Sequence, residues 1–346
     1  MAYKAIDLHC DSVFSIMEGK DLTKPVEKVH VDLPRMRKGN VGLQVFAVFL
    51  PPVESVSFRG LGTHSLEGEK PFDYTTKRLE AIKAFANSDD LLTHVETAAE
   101  LEAAMAANKT GIMSAIENGL AIDNTISNIE QLRKQKVRLM TLVHSEHLSW
   151  VESCTGSVPF CEKGKGITEF GEKVVDAMND CGIVPDLSHA SENAFWDVIK
   201  RSKKPVIVTH SNAFNLCASP RNLKDDQLKA LGDSGGVVGV NFFSAFLSEE
   251  FRKGFDFNMS DDEPIPDVKV PFSLIADHID YMVKMAGEDS VGLGSDFDGI
   301  PAAPIGVTGS DFYPLLEEEL RSRGYPEKRI EKIFNANFLR LFKAWD

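Results

Sequence analysis

Gly111-Ile112-Met113-Ser114-Ala115-Ile116-Glu117 is an almost unbroken apolar run that stops on a carboxylate. Strict apolar–polar alternation marks a strand with one wet face, whereas a nearly continuous run marks a strand covered on both faces, as in a parallel sheet. Seven further strand candidates lie on either side, several of them nearly all apolar: Ala5–His9, Gly42–Leu50, Val137–His144, Gly182–Ser188, Pro205–His210, Val237–Phe242 and Ser290–Asp296. Helical patterns separate them, over Tyr74–Ala86, Thr97–Ala107, Ile126–Gln135, Glu169–Asn179, Glu192–Lys200, Asp225–Leu231 and Phe272–Met285. Thr97-Ala98-Ala99-Glu100 has the polar start and acidic third position of a capping box. Leu315–Arg321 and Pro326–Leu341 read as closing helices.

Eight strands alternating with helices predict an α/β fold, a (β/α)8 TIM-like barrel spanning residues 1–346 as a single domain. The competing open doubly wound sheet usually has fewer strands and binds its ligand at one switch point. Pro51–Asp73 and Gly254–Asp267 read as loops inserted at the active-site face after the second and seventh strands, with Glu146–Glu162 as a third loop at the mouth. Val53, Phe58 and Phe243 are candidate pocket walls or core residues, as are Phe72, Tyr74 and Trp150.

Composition narrows the function classes. A chain of 346 residues with 43% hydrophobic content can bury a substantial core. Its net charge of -14, from 38 basic and 52 acidic residues, argues against nucleic acid as a general partner. Five cysteines in this length do not describe a disulfide scaffold. Reduced thiols in a cytoplasmic protein are a simpler reading than a Cys154–Cys161 bridge. No basic segment followed by a long apolar stretch opens the chain, and Val41 to Leu50 is too short to span a bilayer, so neither a signal peptide nor a membrane anchor is expected.

The strand ends carry the chemistry. The first run ends at His9-Cys10-Asp11, the third at Glu117, the fourth at His144, the fifth at His189, the sixth at His210 and the eighth at Asp296. In a barrel these positions converge on one mouth. Each has a structural reading taken singly. His9 and His210 suit satisfied buried histidines, Asp11 and Asp296 suit caps, and His189 suits a loop tie. His144 and His147 would also pack beside Trp150, and Glu117 could be emerging into solvent. Seven such side chains at strand ends are costly as unpaired core residues, so their joint placement points to a shared site of nitrogen and oxygen donors suited to a divalent metal.

These motifs, together with Ile116-Glu117-Asn118-Gly119, Thr141-Leu142-Val143-His144, Asp186-Leu187-Ser188-His189-Ala190-Ser191, Thr209-His210-Ser211 and Gly294-Ser295-Asp296-Phe297-Asp298-Gly299, resemble the membrane (renal-type) dipeptidase family of zinc peptidases, within the metal-dependent amidohydrolase barrels. The resemblance implies two zinc ions per chain. It makes His9 and Asp11 ligands of one, His189 and His210 ligands of the other, and Glu117 the bridge between them. It makes His144 a substrate-side histidine that stabilises the tetrahedral intermediate, and Asp296 the acid/base. Arg221, in Ser219-Pro220-Arg221-Asn222, matches an arginine that receives a substrate carboxylate. The implied reaction is hydrolysis of dipeptides with a free C-terminal carboxylate, in a family that includes members handling a D-residue on the leaving side; two metals suit it by polarising the amide carbonyl and acidifying water. The family also admits a homodimer, for which the chain marks no interface.

Two rival functions differ in testable ways. Other amidohydrolases, such as lactonases, phosphotriesterases and cyclic-amide hydrolases, commonly begin with His-x-His and bridge their metals with a modified lysine. This chain has His9-x-Asp11 and Glu117 instead. A non-catalytic small-molecule-binding barrel would have lost a ligand or Asp296, and the set is complete.

Overall fold

The computed structural model describes residues 3–52, 56–58, 61–255 and 265–346. Val53, the side chain of Phe58 and most of Gly254–Asp267 lie outside the described residues. The eight apolar runs all form strands: β1 (Ala5–Cys10), β2 (Val41–Phe49), β3 (Thr110–Glu117), β4 (Val137–Thr141), β5 (Val184–Asp186), β6 (Ile207–Ser211), β7 (Val237–Val240) and β8 (Val291–Leu293). Each pairs in parallel with the next, except that β8 pairs with β1 and thereby closes the ring. The longest register runs from Leu43 opposite Gly111 to Phe49 opposite Glu117, between β2 and β3. The fold is therefore a closed eight-stranded parallel barrel ringed by helices. Every residue of β1, β2 and β3 is buried, which is why these strands read as continuous apolar runs.

The few polar residues inside the strands are tied together. Asp7 accepts hydrogen bonds from Gln44 Nε2 (2.9 Å), Ser295 N (2.8 Å) and Ser295 Oγ (2.6 Å). It joins β1, β2 and the segment after β8 one layer below His9. The last helix, Asn337–Lys343, contributes Phe338, Leu341 and Phe342 to a cluster with Ile6, Leu43, Leu139, Ile207 and Val237 from five strands. That packing sets the helix against the halves of the strands where they begin. Buried Arg138 seals the same end, donating to Gly182 O (3.1 Å) and Trp345 O (3.1 Å) with its guanidinium 4.5 Å from the Phe342 ring.

Helices occupy the predicted intervals, from Pro71–Ala86 through Ser273–Ala286 to Tyr313–Ser322. The capping box at Thr97 forms as expected, with Thr97 Oγ1 accepting from Glu100 N. Pro326–Leu341 is not one uniform helix. It comprises Glu327–Glu331, a wide π turn over Lys332–Ala336 and the helix Asn337–Lys343. Through this segment Asn335 reaches Lys4 O and Asn337 reaches both Glu288 O and Val291 O. Trp150 and Tyr74 are buried core residues, and Phe243 packs against Phe246 and Phe255. The five cysteines are free thiols. Among the described residues no helix is long and apolar enough to cross a membrane.

Candidate metal centre

Seven strands deliver a polar side chain to the end of the barrel where the strands finish. His9 is the penultimate residue of β1 and Asp11 follows it by two; Glu117 closes β3; His210 is penultimate in β6. His144, His189 and Asp296 each lie three residues past β4, β5 and β8, and Asn241 lies one past β7. β2 supplies Phe49, whose ring meets that of His144 edge-on at 4.6 Å. His189 and Asp296 have left-handed backbones (φ 66 and 64). Such a conformation costs a non-glycine residue about 1–3 kcal/mol and turns the chain sharply enough to return the side chain to the mouth.

Glu117 is the hub, and its two oxygens face different partners. Oε2 lies 3.6 Å from His9 Nε2, which is itself 3.6 Å from Asp11 Oδ2. Oε1 lies 3.1 Å from His189 Nε2, 3.4 Å from His210 Nε2 and 3.8 Å from His144 Nε2. His189 and His210 meet Nε2 to Nε2 at 3.1 Å. Candidate donor sets, each within 4.8 Å, are His9–Asp11–Glu117, Glu117–His144–His189 and His9–His210–Asp296.

Electrostatics follow from burial and crowding. Burial opposes charging His9, but Glu117 and Asp11 overcome it and hold its pKa well above the usual histidine value. Burial raises Asp11 to about 8, reinforced by the charge of Glu117. Glu117 goes the other way: despite burial, His9 and His144 hold it well below the carboxylate range. Burial lowers His144 to about 4 and pushes His189 down with help from Arg221; burial, then His9, lowers His210. His9 Nε2 and Asp11 Oδ1 are buried with no hydrogen-bond partner among the described residues. Buried polar atoms normally find partners. Imidazole and carboxylate donors converging on orphaned atoms fit a divalent ion, zinc included.

Beside this cluster opens a cavity of about 510 Å³, lined by His189, Arg221, Cys154, Glu152 and Phe214 among others. Arg221 is buried, donates from Nη2 to His210 O (3.3 Å) and leaves Nε without a partner among the described residues. All eight residues singled out from the sequence therefore sit at this mouth or in its adjoining cavity. His147 does not join them: its Nδ1 accepts from Ser153 N (2.9 Å) and its Nε2 meets Val158 O (2.7 Å), holding a loop.

Sequence reasoning missed Asn241. Its Nδ2 donates to Asp296 Oδ2 (2.8 Å). The signal was the one used elsewhere, a polar residue directly after an apolar run. Sequence reasoning placed Gly299 within a motif but gave it no role; a side chain there would run into Asp11 and Asp296.

A closed barrel with buried histidines and carboxylates clustered where its strands end defines a metal-dependent hydrolase. The chain belongs to the membrane dipeptidase family, peptidase family M19, which it matches over residues 1–346, and it is accordingly a dipeptidase of the metallopeptidase class. An uncharacterized dipeptidase of Schizosaccharomyces pombe is 32% identical over 323 residues, covering 91% of this chain and 72% of that protein. The crystal structure of dipeptidase AC, an M19 metallopeptidase, superposes with a TM-score of 0.84 at 26% identity, covering 100% of this chain and 99% of the other. A metallopeptidase from Rhodobacter sphaeroides, liganded with a phosphinate mimic of the dipeptide L-Ala-D-Ala, gives 0.82 at 25% identity over 99% of both chains.

Proposed function

We propose that residues 1–346 act as one catalytic domain, a binuclear zinc dipeptidase that cleaves dipeptides bearing a free C-terminal carboxylate, L-Xaa-D-Xaa substrates among them. The division of Glu117 between two groups of partners, Oε2 toward His9 and Asp11 and Oε1 toward His189 and His210, is the observation that carries it. A carboxylate so placed would serve both ions of a pair, one through each oxygen. His9 and Asp11 would hold one, and His189 and His210 the other. When bound, the pair supplies Lewis acidity, polarising the scissile carbonyl and making water a nucleophile near neutral pH.

The protein's own groups do the rest. Asn241 pins Asp296 Oδ2. Asp296 Oδ1 takes the proton of the attacking water and passes it to the departing amine, which would otherwise leave as a poor anion. His144, neutral because of burial, has Nδ1 2.8 Å from Ser145 Oγ. With that hydroxyl donating, the ring proton sits on Nε2 and is offered to the developing oxyanion. Arg221, which lines the cavity, is the group that receives the substrate carboxylate. The bond between the carbonyl carbon and the amide nitrogen breaks, the water oxygen stays on the acid, and the second amino acid leaves as an amine.

The ligand seen in the Rhodobacter sphaeroides relative supports acceptance of a D-residue on the leaving side. Five free thiols support a reducing compartment, the cytoplasm. The test combines zinc stoichiometry with a panel of L-L and L-D dipeptides, each also offered as its C-terminal amide. Two zincs per chain, turnover of free dipeptides and poor use of the amides are expected. Equal use of the amides would remove Arg221 from the scheme, and absence of zinc with absence of turnover across the panel would overturn the reading.

A further inference from the structure

Beneath the second half of the cluster lies a buried carboxylate with no part in the scheme above. Asp186, the last residue of β5, accepts five hydrogen bonds. Oδ1 takes Ser188 N (3.0 Å), Ser188 Oγ (2.9 Å) and Thr209 N (2.9 Å), while Oδ2 takes the hydroxyls of Thr141 and Thr209, the latter at 2.6 Å. Thr209 Oγ1 is in turn 2.8 Å from His210 Nδ1. We propose that Asp186 and Thr209 form a positioning relay that holds His210 in one tautomer, with its proton on Nδ1 and its lone pair on Nε2 facing Glu117.

The direction of each bond follows from donor counting. Asp186 accepts at both oxygens, so the Thr209 hydroxyl spends its single proton on Asp186 Oδ2. Its oxygen then offers only lone pairs, and His210 Nδ1, at bonding distance, must be the donor. Ser188 does not compete for that proton. Its own hydroxyl is committed to Asp186, its oxygen accepts His210 N (3.1 Å), and its contact with Thr209 Oγ1 is the longer one, at 3.2 Å. A neutral imidazole carrying its proton on Nδ1 has a bare Nε2, the atom that lies 3.4 Å from Glu117 Oε1. The same carboxylate ties the ends of β4, β5 and β6 together, so orientation and tautomer are set by one group.

Two substitutions separate this relay from a merely structural role. In Asp186→Asn the two main-chain N–H groups keep the carbonyl oxygen at the Oδ1 place, which puts the amide nitrogen at Oδ2. That nitrogen donates to Thr209 Oγ1 and turns the hydroxyl to donate a hydrogen bond to His210 Nδ1, so Nδ1 must be bare and the ring proton lies on Nε2. Thr209→Val keeps shape and removes the acceptor, leaving Glu117 to attract the proton to Nε2. Thr209→Ser keeps the hydroxyl and rescues.

The importance of the tautomer rests on His210 being a ligand, but the tautomer itself does not, so it is read in metal-free protein. Ring-¹⁵N spectra of histidine-labelled protein near pH 8, with His210 assigned by its loss in His210→Gln, should show the proton on Nδ1 in the unaltered protein and in Thr209→Ser. It should appear on Nε2 in Thr209→Val, and in Asp186→Asn if that variant folds. Zinc affinity, by competition with a chromophoric chelator, should fall about 10–100-fold in Thr209→Val, the usual cost of losing a partner behind a ligating histidine. A bare Nδ1 in the unaltered protein overturns the relay, as does a Thr209→Val protein that keeps the Nδ1 proton or its full zinc affinity. If the unaltered protein carries the Nδ1 proton yet binds no zinc, the relay stands and the metal reading falls.

Discussion

Gly299→Ala should disable the metal centre while sparing the fold. Gly299 sits in the turn after β8, its N–H donating to Asp296 O (3.1 Å). A Cβ built there would lie 2.0 Å from Asp11 Oδ2, 3.0 Å from Asp11 Cγ and 2.8 Å from Asp296 Oδ1. Ordinary contact needs about 3.4 Å, so the Asp11 carboxylate must retreat by roughly 1.4 Å, several times the ~0.2 Å tolerance of a metal–ligand bond. Side-chain ends give way more readily than backbone, so the folding cost should stay within about 1–3 kcal/mol, the usual range for overpacking. Displacement of that size at a reacting site costs about 100-fold, equivalent to roughly 2.7 kcal/mol in the barrier. The assay is steady-state hydrolysis of one dipeptide beside zinc titration, with circular dichroism and thermal melting to verify folding. A folded Gly299→Ala protein with full zinc affinity and kcat/KM within about threefold of the parent would refute the placement of Asp11 and Asp296 at the reaction centre.

Asp296→Asn should keep its zinc yet lose about 10²–10⁴-fold in kcat, the range for removing a positioned acid/base; metal loss in parallel would make Asp296 a ligand instead. Asn241→Asp replaces the donor on Asp296 Oδ2 with a second carboxylate, so the acidic limb of the kcat–pH profile should move upward, and an unmoved limb would contradict the contact's role. His278 tests pH and stability away from the site. Burial lowers it to about 4, and it stays neutral with Nδ1 accepting Ala213 N and Nε2 meeting Leu247 O. Below the ordinary value near 6.5 the unfolded chain takes up a proton that the folded one refuses. Stability from this residue is therefore complete above about pH 6.5 and shrinks as pH falls toward 4, by about 3 kcal/mol in all. Urea unfolding across that window should show a shallower slope in His278→Gln, and identical slopes would contradict the assignment.

The barrel was legible because both faces of its strands are buried. Each apolar run in the sequence became a strand, yet several runs overshot the ladder. Leu142 and Val143 are as buried as β4 itself, though they already belong to the loop that carries His144. The three-residue strand Leu92–His94 pairs with Thr110–Ile112 alone and has no periodicity to read. The ligand candidates were legible because their types and positions at strand ends repeat. Asn241 and Gly299 were not, since what matters in each is a contact made across the barrel: Asn241 with a carboxylate 55 residues away, Gly299 with Asp11. The roles of Asp186 and Thr209 also required geometry, because the direction of a hydroxyl proton is set by every partner around it.

Zinc-edge anomalous diffraction from zinc-loaded crystals addresses the central claim most directly. Two peaks are predicted about 3.5–4 Å apart on either side of Glu117, the usual spacing of a two-metal site, one beside His9 and Asp11 and the other beside His189 and His210. A single peak, or a pair not bridged by Glu117, would contradict the account.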